Sequence, residues 1–133
     1  MKTEDGVISC TIDIRVPVTL KADQVREMCQ GRLEDENGRI EIGTIGNPLF
    51  FPRESPLVQA LYKAYTDVTG DTEHKPMVIG GGTYAKAIPN IVAFGPIFPG
   101  DEVREHKPDE FIEVEKLMKN AQIIAEAMYR LAK

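Results

Sequence analysis

Two short runs constrain this chain most: "PMVIG", Pro76 to Gly80, and "IVAFG", Ile91 to Gly95. Neither alternates polar with apolar residues, as a strand with one wet face would. A run that is apolar throughout suits a strand covered on both faces, as in the parallel sheet of an α/β domain. Helical patterns accompany them. Ser55 followed by Pro56 predicts a capped helix start, and Leu57, Val58, Leu61, Tyr65 and Val68 make a buried stripe that Gly70 ends. A second stripe, Leu117, Ala121, Ile124, Met128 and Leu131, predicts a long helix from about Val114 to the C-terminus. Glu113 and Glu115 sit at the positive end of its dipole, Arg130 and Lys133 at the negative end.

The first part of the chain is patterned differently. In "VISCTIDIRV" strict alternation puts Ile8, Cys10, Ile12, Ile14 and Val16 on one face and Ser9, Thr11, Asp13 and Arg15 on the other, which predicts a half-buried strand. Thr19 is placed to cap a short helix carrying Val25, Met28, Cys29 and Leu33, with Gly31 near its end. An Asn37-Gly38 turn then leads into a second alternating strand, Ile40 and Ile42 opposite Arg39 and Glu41. A strand-helix-strand unit of this kind cannot bury its own face. Between Gly46 and Glu54, Pro48 and Pro52 bracket Leu49, Phe50 and Phe51, as a linker between layers does, so the boundary is placed between residues 1–46 and 47–133.

Charge and composition exclude several classes. At 133 residues and 42% hydrophobic content the chain is large enough for a core. Its 16 basic and 21 acidic residues give a net charge of −5 without a basic cluster, so a nucleic-acid partner is not expected. The apolar runs stop well short of a membrane span, and "MKTEDG" lacks the layout of a signal peptide, which points to a cytoplasmic protein with no membrane partner. Cys10 and Cys29 have no metal-finger spacing and read as buried, reduced, structural thiols.

Three features could carry chemistry. "GGGTYA" is a glycine-rich turn whose backbone N–H groups can hold an anion; it is neither a P-loop nor a dinucleotide fingerprint, so a carboxylate fits better than a nucleotide, and a tight turn without a ligand is the plainer alternative. Arg15 has the fork geometry for a carboxylate, although taken alone an exposed pair with Asp13 on the same strand face is the favoured reading. His106, among Asp101, Glu102, Glu105, Asp109 and Glu110, stands in a loop after a buried strand, where α/β proteins place working residues; a surface histidine in a solvated acidic loop is the alternative. His74 has no comparable company and reads as solvent-exposed.

The segments "IDIRVP", "LFFPRESPLVQALYKAYTDVTG", "IGGGTYAKAIPNIVAFGPIFPGDEVREHKPDEFI" and "AQIIAEAMYRLA" occur in one order that closely resembles the C-terminal third of PepV-type, Xaa-His or carnosinase-like dipeptidases. These belong to the two-zinc aminoacylase and carboxypeptidase superfamily. The resemblance runs from about Val7 over nearly the whole chain, and the combination "GGGTYA…N-x-x-AFG-x-x-FPG…H-x-x-DE" is far more specific than its parts. It implies an α/β fold made of half a lid, a ferredoxin-like strand-helix-strand half, followed by the C-terminal portion of a zinc-peptidase sheet domain. His106 matches a late zinc ligand, Arg15 the lid arginine that grips the C-terminal carboxylate of a dipeptide substrate, and Gly81, Gly82 and Thr83 the loop that helps hold that carboxylate. The family's mechanism uses two zinc ions about 3.5–4 Å apart, a bridging water deprotonated by a glutamate, and a lid histidine at the oxyanion.

The resemblance also places the remaining zinc ligands, the general-base glutamate and the lid histidine in upstream segments that this chain does not contain. A C-terminal piece of a longer enzyme, without dipeptidase activity alone and prone to self-association through exposed edges, is therefore expected. The alternatives are a non-catalytic module that binds small anions and a plain oligomerisation domain.

Overall fold

A computed structural model describes residues 2–4, 6–33, 39–95 and 97–133. The chain divides into two compact units, Met1–Leu49 and Phe50–Lys133.

In the first unit, β1 (Lys2–Glu4) and β2 (Val7–Ser9) form an antiparallel hairpin with Lys2 opposite Ser9 and Glu4 opposite Val7. Gly6, in the connection, has φ +78°, a left-handed conformation that glycine adopts without steric cost. The long strand expected from Val7 to Val16 is realised only as far as Ser9; from Cys10 onward the chain carries no ladder, and Ile12 and Ile14 are exposed. The segment expected as the second strand is likewise unpaired. Its alternation survives, with Ile40 and Ile42 half-buried and Arg39 and Glu41 exposed and joined at 3.0 Å. Side-chain pattern is local, whereas a ladder requires a neighbouring strand. The Asn37-Gly38 turn lies outside the described residues.

Helix α1 spans Ala22–Leu33. Thr19 is not its cap: it lies in a turn closed by Leu20 N–H donating to the Pro17 carbonyl at 3.0 Å. Gln24 reaches back to accept from the N–H of Lys21 at 2.8 Å, and Asn47 Oδ1 accepts from Ala22 N–H at 3.2 Å. Donors at the helix start are thus satisfied by two amide side chains, which moves the start past Thr19. Val25 is buried on this helix. The thiols do not follow the expectation of burial: Cys10 is exposed and Cys29 only half-buried, and both are free.

The second unit is organised by α2 (Pro56–Thr69) and α3 (Val114–Leu131), which pack on each other. The ends of α2 follow its sequence signals. Ser55 Oγ accepts from Val58 N–H at 3.4 Å, Pro56 takes the first helical position, and Gly70, at φ +74°, donates its N–H to the Thr66 carbonyl at 2.8 Å. Val58 and Ala64 of α2 are buried, as are Ile123 and Ala127 of α3. Arg130 of α3 bridges to Asp67 of α2, which also pairs with Lys63.

The buried face of α3 is not the expected one. Lys116, Asn120, Ile123, Glu126, Ala127 and Arg130 are its shielded positions, whereas the apolar stripe Leu117, Ala121, Ile124, Met128 and Leu131 is exposed, Met128 to 67%. The shielded face holds the buried Ile123 and Ala127 together with the pairs Arg130–Asp67 and Lys116–Asp101. The runs "PMVIG" and "IVAFG" are also unpaired: the ladder formed among the described residues is β1–β2, and Met77 is 80% exposed. A parallel strand needs hydrogen-bonding neighbours that the described residues do not supply. Helices and apolar runs are present as parts of an α/β domain without an assembled parallel sheet.

Candidate functional site

His106 sits at the tip of a loop that leaves the second apolar run and returns to α3. Near its base, Phe98 N–H donates to Asp101 Oδ2 at 3.1 Å, and Lys116, in the first turn of α3, contacts Asp101 Oδ1 at 2.7 Å and Glu113 Oε1 at 3.3 Å. The ammonium holds the Asp101 carboxyl below its ordinary range, and Asp101 in turn raises Lys116. Further along, the Arg104 guanidinium lies 4.5 Å from the Phe111 ring centroid and pairs with Glu102 at 2.6 Å. At the tip, His106 N–H donates to Glu110 Oε2 at 3.3 Å and Lys107 N–H to the Arg104 carbonyl at 3.1 Å.

His106 has φ +62° and Asp109 φ +58°. Such a backbone costs a residue other than glycine about 1–2 kcal/mol, and histidine and aspartate are among the residues found there. The His106 side chain is exposed and makes no hydrogen bond within the described residues.

The glycine loop precedes a 3₁₀ turn, Tyr84–Lys86. Thr83 caps that turn, its hydroxyl oxygen accepting from Ala85 N–H at 3.2 Å, which leaves the hydroxyl proton free to donate elsewhere. None of Gly80, Gly81 and Gly82 has a left-handed φ. A Cβ on Gly80 would meet nothing within 4 Å, and one on Gly81 only the Ile79 Cδ1 at 3.6 Å. The N–H groups of Gly81 and Gly82 have no partner among the described residues. The local backbone therefore does not require a glycine at 80 or 81, and Gly81 and Gly82 offer unpaired N–H groups among the described residues.

Arg15, in the first unit, pairs with Asp13 at 3.0 Å, both side chains mostly exposed. Alternation puts them on one face, as the sequence implied. An exposed pair of this kind contributes about 0.2–1 kcal/mol, so the guanidinium is readily exchanged to another carboxylate.

One cluster escaped the sequence reading. Asp71, just after α2, accepts from Tyr65 Oη at 2.6 Å, from the backbone N–H groups of Glu73 and His74 at 3.0 and 3.2 Å, and faces His74 Nδ1 at 2.8 Å. His74 thus has a carboxylate partner. The Tyr65 hydrogen bond, ahead of the backbone ones, holds the Asp71 carboxyl well below the carboxylate range. Burial, then Asp71, pushes Tyr65 up to about 12. An aspartate followed at two and three residues by backbone donors is a recognised turn signal, and "DTEH" carries it.

Among the described residues no three of His, Cys, Asp and Glu are grouped to hold a metal ion. A zinc centre needs about four donors, and His106 would supply no more than one, so the described residues do not by themselves fit a metal site. No described helix is long and apolar enough to cross a membrane.

The His106 imidazole and the Gly81 and Gly82 N–H groups are thus both left open to a partner within the described residues, and comparison with known proteins places the chain among peptidases. The chain belongs to peptidase family M20/M25/M40, whose profile matches residues 3–130. It is 37% identical over 122 residues to "Putative dipeptidase YtjP" of Bacillus subtilis, which covers 92% of this chain and 26% of the relative. It is 33% identical to "Putative dipeptidase SH1171" of Staphylococcus haemolyticus and 32% to a "Putative dipeptidase" of Staphylococcus epidermidis, each over 90% of this chain and 25% of the relative. The chain spans about a quarter of the length of these curated relatives. No solved structure gives a significant match. Helices with apolar extended runs are consistent with a piece of an α/β peptidase domain.

Proposed function

We propose that this chain is the segment of a zinc-dependent dipeptidase that supplies one zinc ligand, His106, and the clamp for the substrate's C-terminal carboxylate, Arg15, Gly81, Gly82 and Thr83. The observation that carries the reading is the geometry of His106: a left-handed backbone, unusual outside glycine, presents an imidazole with no partner in its own unit. The family match and the names of the relatives supply the reaction class. For the clamp, the support is the strip of unpaired N–H groups with no Cβ to crowd an approaching anion, together with an Arg15 held only by an exposed partner.

One imidazole cannot assemble a two-zinc centre, so the chain alone is inactive and the remaining ligands and the proton-transfer groups come from other parts of a longer protein. In that protein residues 1–46 form half of a lid and residues 47–133 part of the catalytic domain. The outward stripe on α3 and the unpaired apolar runs favour self-association of the isolated chain. Two free thiols suit a cytoplasmic setting.

The test is a graft. Residues 3–130 replace the matching segment of the full-length Bacillus subtilis relative, and hydrolysis of Xaa-His dipeptides is assayed with and without zinc. Zinc-dependent cleavage by the graft, its loss in His106→Ala, and no cleavage by the 133-residue chain are expected. Cleavage by the purified chain alone, or an active His106→Ala graft, overturns the reading.

A further inference from the structure

Three side-chain closures of the His106 loop are nested about Pro108. Asp101 joins Lys116 at 2.7 Å, Arg104 lies over Phe111 at 4.5 Å, and His106 N–H donates to Glu110 at 3.3 Å. Each pair lies inside the previous one along the chain, so the closures form successive rungs from the base of the loop to its tip. The outer rung is anchored twice: Asp101 also accepts from Phe98 N–H, and Lys116 stands on α3, whose Ile123 and Ala127 are buried.

We propose that Lys116 and Arg104 are positioning residues for His106, holding its turn in a preformed geometry before any ligand arrives. The proposal rests on the reading of His106 as a metal donor and deepens it. Neither residue hydrogen-bonds His106. Lys116 acts by tying the loop's entry to the helix that ends it, and Arg104 by stacking on Phe111 of the returning segment one rung below the tip. With both rungs closed, the His106 and Glu110 ends of the tip are held together. A left-handed histidine returns to the broader allowed backbone regions once the chain around it is free, so a loosened base is felt at the tip as loss of the His106 to Glu110 bond. A prearranged donor adds no ordering cost when a ligand binds, which is what such a brace contributes.

The test uses the isotopically labelled 133-residue chain and amide hydrogen exchange at His106, compared among wild type, Lys116→Met, Lys116→Arg and Arg104→Gln, with Arg130→Met as a control on the far end of α3. Exchange of the His106 amide is expected to quicken several-fold in Lys116→Met and in Arg104→Gln while the amides of α2 and central α3 keep their rates. Lys116→Arg is expected to restore it, and Arg130→Met to leave it unchanged. Should Lys116→Met fray the first turn of α3, Arg104→Gln, which lies off the helix, decides the matter. Unchanged exchange at His106 in Arg104→Gln overturns the proposal even if the graft shows His106 to be a metal donor. An inactive graft with quickened exchange in the variants defeats the donor reading and leaves the brace standing.

Discussion

Tyr65 donates its phenolic hydrogen to the carboxylate of Asp71 at 2.6 Å, tying the last turns of α2 to the loop that follows. The same carboxylate collects two backbone N–H groups and faces the His74 ring. Its folded-state pKa is depressed, so the unfolded chain binds the proton more readily. The resulting stability is present above the unfolded carboxyl pKa and is lost as pH falls through the folded one. The melting temperature of wild type is therefore expected to drop below about pH 4, and less steeply in Tyr65→Phe, which lacks the bond. Parallel acid profiles for the two proteins would contradict this.

Tyr65 has the opposite sign at the other end of the scale. Burial and Asp71 raise its folded pKa to about 12, so its contribution is intact below the unfolded phenol value of about 10 and disappears as pH rises toward 12. Ultraviolet titration should show one phenol ionising late. Asp71→Asn is expected to bring it only part of the way down, because burial is the larger cause.

The termini of α2 offer a purely local check. Ser55→Ala removes the acceptor for Val58 N–H and is expected to cost about 1 kcal/mol in urea unfolding. Gly70→Ala forces a side chain into a left-handed position, again at about 1–2 kcal/mol. Values near zero for both would mean that the helix ends are set by packing instead.

These termini were legible because everything that makes them lies within a few residues: Ser55, Pro56 and Gly70 act on backbone groups beside them. Arg15 and Asp13 likewise meet across two residues. Strands were not legible in the same sense. Ile12, Ile14 and Met77 carry the right patterns, but a ladder needs a neighbour that no pattern at those residues specifies. On α3 hydrophobicity alone favours Leu117, Ile124 and Met128, whereas the folded helix buries the face of Ile123 and Ala127, which also carries the Arg130 and Lys116 pairs. His74 reads as solitary in the sequence, yet the Asp71 three residues before it faces its ring. Of the candidate site, the residue identities follow from the family resemblance, whereas the nested braces of the His106 loop join residues up to fifteen apart and exist only in the folded loop.

The two faces of α3 are expected to separate stability from the self-association proposed for the isolated chain. Ile123→Ala opens the packing against α2 and is expected to destabilise by about 2–4 kcal/mol. Met128→Gln, on the exposed stripe, should change stability by less than about 0.5 kcal/mol and shift sedimentation toward monomer. A variant that is as associated as wild type would remove the stripe from the contact.

Gly81→Ala distinguishes a turn from a clamp. The added methyl would meet only Ile79 Cδ1 at ordinary contact distance, so the isolated chain should be as stable as before or gain up to about 1 kcal/mol. In the graft the same methyl would obstruct an approaching carboxylate, and a raised KM is expected. A large loss of stability with unaltered KM would assign the glycine to folding.

The most direct measurement is zinc stoichiometry in the grafted enzyme by native mass spectrometry, read for wild type, His106→Ala and His74→Ala. The expected result is two zinc ions in wild type and in His74→Ala, and fewer than two in His106→Ala. Two zinc ions retained in His106→Ala would contradict the assignment of that imidazole as a ligand and, with it, the place given to this chain in the enzyme.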